Sequence, residues 1–180
     1  MPVILLVGMP GAGKEEFVKV AIQMGYDVVR MGDVVREHVS SLGFELRDEI
    51  VGKIAHEERE MHGIDVWAWR TLEKIKGSRK ILIDGVRCIE EVEVFKGELG
   101  EEVHLVGIFA PRKVRFERIL HRGRKDDVRT WDEFVRREMR ELQWGLGNVF
   151  ALSDHMLLNM GTLEEFHGNV REFLLTLDKE

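Results

Sequence analysis

Val3-Ile4-Leu5-Leu6-Val7 runs directly into Gly8-Met9-Pro10-Gly11-Ala12-Gly13-Lys14, and this junction decides the fold. A β-branched and aliphatic run that ends in glycines reads as a buried strand turning sharply into a helix. Gly8, Gly11 and Gly13 let the backbone fold back with its N–H groups pointing inward, where no Cβ blocks a polyphosphate. Lys14 supplies a point charge for β- and γ-phosphates, and the helix that starts there aims its positive end at them. The spacing Gly8 to Gly13-Lys14 is that of a phosphate-binding loop. One residue departs from it: Glu15 stands where such loops carry Ser or Thr to hold Mg²⁺.

Outside this loop, composition narrows the possibilities. A chain of 180 residues can bury a full core but has little room for a second domain. Its 27 basic against 33 acidic residues give a net charge of -6, so no global attraction to nucleic acid or an anionic membrane is expected. The single Cys88 excludes an internal disulfide and any cysteine-based zinc cluster. The seven His never fall into HExxH, and His56 and His62 flank an acidic run that reads as a solvated helix face. The first apolar run is too short for a signal peptide or a membrane span, which predicts a cytoplasmic protein. The scarcity of Gln and Asn beside a third of charged residues suggests a heat-adapted source.

The rest of the chain alternates strand and helix. A first helix over about 13–24 places Phe17, Val18, Ala21 and Ile22 on the sheet, and Gly25 ends it. Asp27-Val28-Val29-Arg30 is a second strand, broken by Gly32, with Asp33 as the N-cap of the next helix. Arg36, one turn in, is either a solvated surface residue or a ligand near the mouth of the first loop. From Glu45 to His62, Leu46, Ile50, Ile54 and Met61 mark a helix stripe. After Gly63 a second stripe, Ile64 to Ile75, puts Trp67 in the core. Trp69 falls off that stripe and lines a pocket or sits half exposed. Lys80 to Asp84 is the third strand, and an acid at its end is well placed to hold a metal's water shell. Val103 to Phe109 is the fourth. A helix then starts at Pro111 and carries Arg112, Arg115, Arg118 and Arg122, the last two sharing a face. A further helix over about 130–144 carries Arg136, Arg137 and Arg140, with Trp131, Phe134, Met139 and Leu142 as its apolar contacts. Asp154 to Asn159 is the fifth strand, and a closing helix runs from Leu163 to Leu177.

Alternation of this kind predicts an α/β fold, a five-stranded, mostly parallel sheet with helices on both faces. Ligands of such sheets bind outside the carboxyl ends of the strands. The phosphate loop, Asp33/Arg36, Asp84/Arg87, the Pro111 helix and Asn159-Met160-Gly161 all follow strands, so they should converge on one rim.

These motifs together resemble the adenylate kinases and related nucleoside-monophosphate kinases of the three-layer P-loop NTPase fold. Gly-Met-Pro-Gly-Ala-Gly-Lys matches that family's loop, Pro10 included. Gly32-Asp33-Val34-Val35-Arg36 resembles its monophosphate-binding segment, and Asp84-Gly85-Val86-Arg87 its Asp-Gly-Phe-Pro-Arg shortened by one residue. The resemblance implies ATP as phosphoryl donor, Mg²⁺ as metal and AMP as the leading acceptor. It gives Arg36 and Arg87 the acceptor phosphate, Asp84 the metal's water shell, and Arg118 and Arg122 the donor. It gives Arg124 and Arg137 the transferring group and Gly161 a backbone contact to the donor adenine. Residues 31–77 become an acceptor-binding helical insertion and 118–127 a lid cut to a turn at Gly123. Glu91 stands in place of the family's base-reading Gln, and Glu15-Glu16 in place of its Gly-Thr. These departures resemble an archaeal adenylate-kinase-related branch sometimes labelled dephospho-coenzyme-A-kinase-like. Two alternatives therefore stay open: a kinase of a nucleotide-bearing alcohol such as dephospho-coenzyme A, and an AMP/ATP-binding sensor or slow NTPase.

Overall fold

The structure, a computed structural model, describes residues 2–77, 80–100, 102–123 and 127–179. Its sheet contains β1 (Val3–Val7), β2 (Asp27–Arg30), β3 (Ile81–Asp84), β4 (Val103–Phe109) and β5 (His155–Leu158), in the order β2-β3-β1-β4-β5. Every pairing is parallel, with Val3 opposite both Ile81 and Val103. The five strands lie where the apolar runs put them. β1 is central and buried on both faces, which its unbroken aliphatic composition requires.

Alternation along β1 divides the core in two. Val3, Leu5 and Val7 pack with Ile81 and Ile83 against α2 (Met31–Ser41), α3 (Asp48–His62), α4 (Val66–Leu72), α5 (Ile89–Leu99) and α8 (Leu146–Ala151). Ile4 and Leu6 face the opposite side, where α1 (Lys14–Gln23) and α9 (Leu163–Leu177) contribute Phe17, Val18, Phe166 and Val170. Two further helices, α6 (Arg112–Arg122) and α7 (Trp131–Gln143), meet through Phe116, Trp131 and Phe134, whose ring centres lie 5.2–5.4 Å apart. Among the described residues no helix is long and apolar enough to cross a membrane.

Several local expectations are corrected. Helix α2 begins at Met31 without a break at Gly32, so Asp33 lies within its first turn and Arg30 is the N-cap. The strand β3 lies between β2 and β1, so β2 is not the neighbour of the phosphate-loop strand. Of the stripe expected between Glu45 and His62, Ile50 and Ile54 meet the core, joined by Val51 and Ala55, whereas Leu46 and Met61 are exposed. Ile22, Ile64 and Leu163 are exposed as well, and Val20 takes the core position expected of Ile22. Trp67 is fully buried, with its indole N–H donating to the Ala55 carbonyl at 3.1 Å; Trp69 is half exposed and bonded to Asp65. Glu58 lies in the stretch read as a solvated face, yet it is buried and receives Arg70 Nη2 at 2.5 Å.

The correction that matters most concerns α7. Met139 and Leu142 point outward, and the inward positions hold Phe134, Glu138 and Glu141. Beyond the Phe116 cluster this helix faces arginines, so its buried face is ionic. A capping box at Thr130 and Glu133 fixes where it starts.

Candidate active site

At the carboxyl edge of the sheet lies a cavity of about 620 Å³, large enough for a nucleotide. The phosphate loop forms its floor. Gly11 has φ +81° and Gly13 φ +110°, a region that L side chains rarely adopt. Both also sit against neighbours: a Cβ on Gly11 would come within 2.5 Å of the Arg115 carbonyl, and one on Gly13 within 2.2 Å of the Asn159 amide. Gly8, Pro10, Gly11, Gly13, Lys14 and Glu15 line the cavity, whereas Met9 and Ala12 turn into the two cores. Helix α1 starts at Lys14, so its N-terminal N–H groups open toward this space.

The loop is braced from β5 and α6. The Asn159 side chain donates to the Ala12 carbonyl at 2.8 Å, and Arg118 Nη2 donates to the Asn159 backbone carbonyl at 2.9 Å. Arg115 donates to the carbonyls of Ala110 and Pro10 and to Glu138 Oε1, at 3.0, 3.1 and 2.6 Å. It is buried, so this arginine is a clamp on the loop rather than a member of a solvated basic face.

Charge is arranged in opposed pairs. Lys14 Nζ rests on the Gly8 carbonyl at 2.7 Å, and burial draws its pKa below the ordinary value, with Asp84 and Glu141 opposing that shift. Burial pushes the Asp84 carboxyl up, against Lys14 and Arg87. Arg87 donates to Glu141 Oε2 at 2.9 Å and to the Gly85 carbonyl at 3.0 Å. The Glu141 carboxylate holds its guanidinium charged, with burial opposing. Arg122 and Arg137 both reach Asp127, Arg122 through a two-pronged bond and Arg137 Nη1 at 3.8 Å.

Asp84, Arg87, Arg118, Arg122, Arg137 and Gly161 thus share the cavity with the loop. Gly32, Asp33 and Arg36 do not line it: the Arg36 guanidinium pairs with Asp33 on an exposed face of α2. Arg124 lies outside the described residues. Glu91 is fully buried and accepts Arg59 Nη2 at 3.2 Å and the Arg87 N–H at 2.7 Å, so it braces the wall.

Among the described residues, three buried polar atoms of the lining have no hydrogen-bond partner: Asp84 Oδ1, Arg118 Nη1 and Arg137 Nε. Buried polar groups are rarely left so. One acceptor and two cationic donors form the complement of a polyphosphate with its cation. A hard divalent ion fits Asp84, because Mg²⁺ takes one or two carboxylates and completes its shell with water and phosphate oxygens. Among the described residues no three His, Cys, Asp or Glu converge into an all-protein cage. Glu15 is not placed to serve as freely, since Arg30 Nη2 holds it at 2.9 Å.

Arg30, Arg115, Glu138 and Glu141 were not legible as site residues. Arg30 had a signal, because it ends a strand on the ligand-binding edge. The two glutamates had none, since on a helix pattern they read as solvent-facing.

Residues 7–135 match the family described as AAA domain. A UPF0200 protein of Thermoplasma acidophilum is 47% identical over 171 residues, which cover 95% of this chain and 94% of that protein. The crystal structure of TT1252 from Thermus thermophilus superposes with a TM-score of 0.68 at 17% identity, over 98% of this chain and 97% of that one. Shikimate kinase from Acinetobacter baumannii in complex with shikimate does so with 0.62 at 16%, over 98% and 94%. At such identities the two structures speak for the P-loop kinase fold alone.

Proposed function

The chain belongs to the AAA-domain family and, through its close relatives, to the UPF0200 group, and from that premise we propose that it transfers the γ-phosphoryl of ATP to a nucleoside monophosphate, with AMP as the leading acceptor. The observation that carries this reading is the set of buried atoms in the cavity lining that lack a hydrogen-bond partner among the described residues, Asp84 Oδ1, Arg118 Nη1 and Arg137 Nε. Phosphate oxygens satisfy the two arginines and a metal satisfies the carboxylate.

In this reading an oxygen of the acceptor phosphate bonds to the γ-phosphorus as the bond to the β–γ bridging oxygen breaks. ATP and AMP leave as two molecules of ADP. The protein's part is to position two anions and neutralise spreading charge. Lys14 and the loop N–H groups hold the β- and γ-phosphates, Arg118 and Arg122 the donor, and Arg87 the acceptor. Arg137, with Arg124, meets the transferring group. Bound Mg²⁺, held by Asp84, supplies further neutralisation of the phosphate oxygens.

One observation favours the slow NTPase reading. Asp127 engages both Arg122 and Arg137, so charge meant for a transferring phosphoryl is already partly matched. Incubation with γ-labelled ATP and a panel of AMP, other nucleoside monophosphates and dephospho-coenzyme A separates the cases. Labelled ADP from AMP supports the proposal. Label in dephospho-coenzyme A alone, or only in inorganic phosphate, replaces it with the corresponding alternative.

A further inference from the structure

β5 ends the sheet on one side, and among the described residues no strand pairs with its outer edge. Its register with β4 sets Met156 beside Gly107 and Leu158 beside Phe109. Neighbours in register project to the same face of a sheet, so these side chains share the face to which Leu105 belongs. Met156 lies across Gly107, where a Cβ would come within 3.0 Å of its sulfur. Leu105 is buried there, yet Phe109, Met156 and Leu158 are 40, 45 and 56% exposed, with exposed Leu152 before the strand and Met160 after it. The other face of β5 is covered, since Leu157 and Ile108 join the core under α1 and α9.

The backbone of this edge is open as well. The Asn159 N–H donates to the Phe109 carbonyl at 2.8 Å, toward β4. Alternation along a strand then turns Leu157 toward β4 and leaves the N–H and C=O groups of Met156 and Leu158 on the outer edge. Such a row is a template for another strand, and edges are ordinarily blunted by charge or proline. The opposite edge strand, β2, is so marked, beginning at Asp27 and ending at Arg30. From His155 to Gly161 there is no Lys, Arg, Asp, Glu or Pro.

We propose that this face is an interface between two copies of the chain, joined antiparallel along β5 about a two-fold axis at Leu157. The register is self-complementary. With the axis there, Met156 stands opposite the partner's Leu158, and each pair exchanges two backbone hydrogen bonds. Both apolar stripes fall on one face of the joined sheet and cover each other's flank. An uncharged stripe offers nothing for a charged partner to match, whereas the chain itself supplies the strand phase and the apolar side chains that fit. A two-fold contact of this kind closes at the dimer. Antiparallel pairing sets the two cavities at opposite ends of the joined sheet, and the interface begins one residue from Asn159, which braces the phosphate loop.

Light scattering on the full chain after gel filtration, at micromolar concentration, reads the state directly. The wild type should show twice the chain's mass. Leu158→Lys should show the monomer, because the ammonium would have to be buried without an acid to meet it. Ile22→Lys, at an exposed position of α1 over β2 and β3, should remain dimeric. The register has its own test. Opposed residues of a hydrogen-bonded antiparallel pair stand about 5.5 Å apart, within disulfide reach. A mixture of Met156→Cys and Leu158→Cys chains should therefore cross-link on mild oxidation, while each variant alone does not. The native Cys88 is buried, so the wild type serves as the blank. Should Leu158→Lys fail to fold, this mixture decides. A monomeric wild type, a Leu158→Lys variant that stays dimeric, or a mixture that forms no cross-link overturns the proposal.

Discussion

Arg30 Nη2 donates to Glu15 Oε1 at 2.9 Å, joining the last residue of β2 to the first turn of α1 at the cavity's edge. This bond accounts for the residue that fits the phosphate loop worst. A carboxylate about 6 Å from a phosphate oxygen repels each unit charge by roughly 3 kcal/mol at an effective dielectric near 20. The arginine removes much of that, and with the carboxylate drawn toward β2 the metal is left to Asp84. Glu15→Ser should therefore tighten Mg-ATP two- to fivefold in calorimetry, at an unchanged Mg²⁺ requirement. Arg30→Ala should weaken it. A several-fold rise in the Mg²⁺ needed by Glu15→Ser shows instead that Glu15 serves the metal.

Arg115 predicts a stability effect. Removing it breaks three hydrogen bonds and leaves buried Glu138 with Arg112 as its one remaining partner among the described residues. Breaking a buried ion pair from one side costs about 3–5 kcal/mol. For a chain of this size that lowers Tm by roughly 10 °C or more. Arg115→Lys should recover only part, because one ammonium cannot reach all three acceptors. A melting curve for Arg115→Ala within about 2 °C of wild type contradicts the clamp.

Much of this was legible in the chain and some was not. All five strands could be placed because each is a short apolar run bounded by glycine or charge, and the glycines of the loop announce their turn directly. The convergence on one rim followed from the parallel topology. Arg36 lies outside the cavity lining and pairs with Asp33 one turn away on α2, a pairing that the sequence does not announce. Glu138 and Glu141 were not singled out because helix periodicity reports polarity, and here the polar side faces in, toward Arg115 and Arg87. Glu91 was matched to the family's base-reading Gln, and nothing in its sequence neighbours announced its burial against Arg59 and the Arg87 N–H.

Glu58 gives a pH dependence. Burial raises its carboxyl, but Arg70 Nη2 and His38 Nε2, the latter 3.2 Å away, together hold it below the usual range. A depressed folded pKa means stability that is full above the unfolded value, about 4.5, and lost as pH falls through the folded one. Glu58→Gln should thus lower Tm at pH 7, by about 1–3 kcal/mol in stability, with the gap to wild type closing at lower pH. A gap that stays constant down to about pH 3 contradicts this.

The short connection between α6 and α7 predicts leakage. Arg122 donates to Asp127, five residues further along the chain. Closure over a site normally excludes water. Without acceptor, release of labelled inorganic phosphate from ATP should reach about a tenth of the transfer rate or more. Brisk transfer with negligible hydrolysis shows that another segment covers the site.

The central claim is tested most directly by following label from γ-labelled ATP into AMP with the wild type and with Lys14→Ala. The account predicts labelled ADP from the wild type and none above background from the variant, whose circular dichroism stays native. Transfer by Lys14→Ala at the wild-type rate, or no labelled acceptor from the wild type under any metal condition, contradicts it.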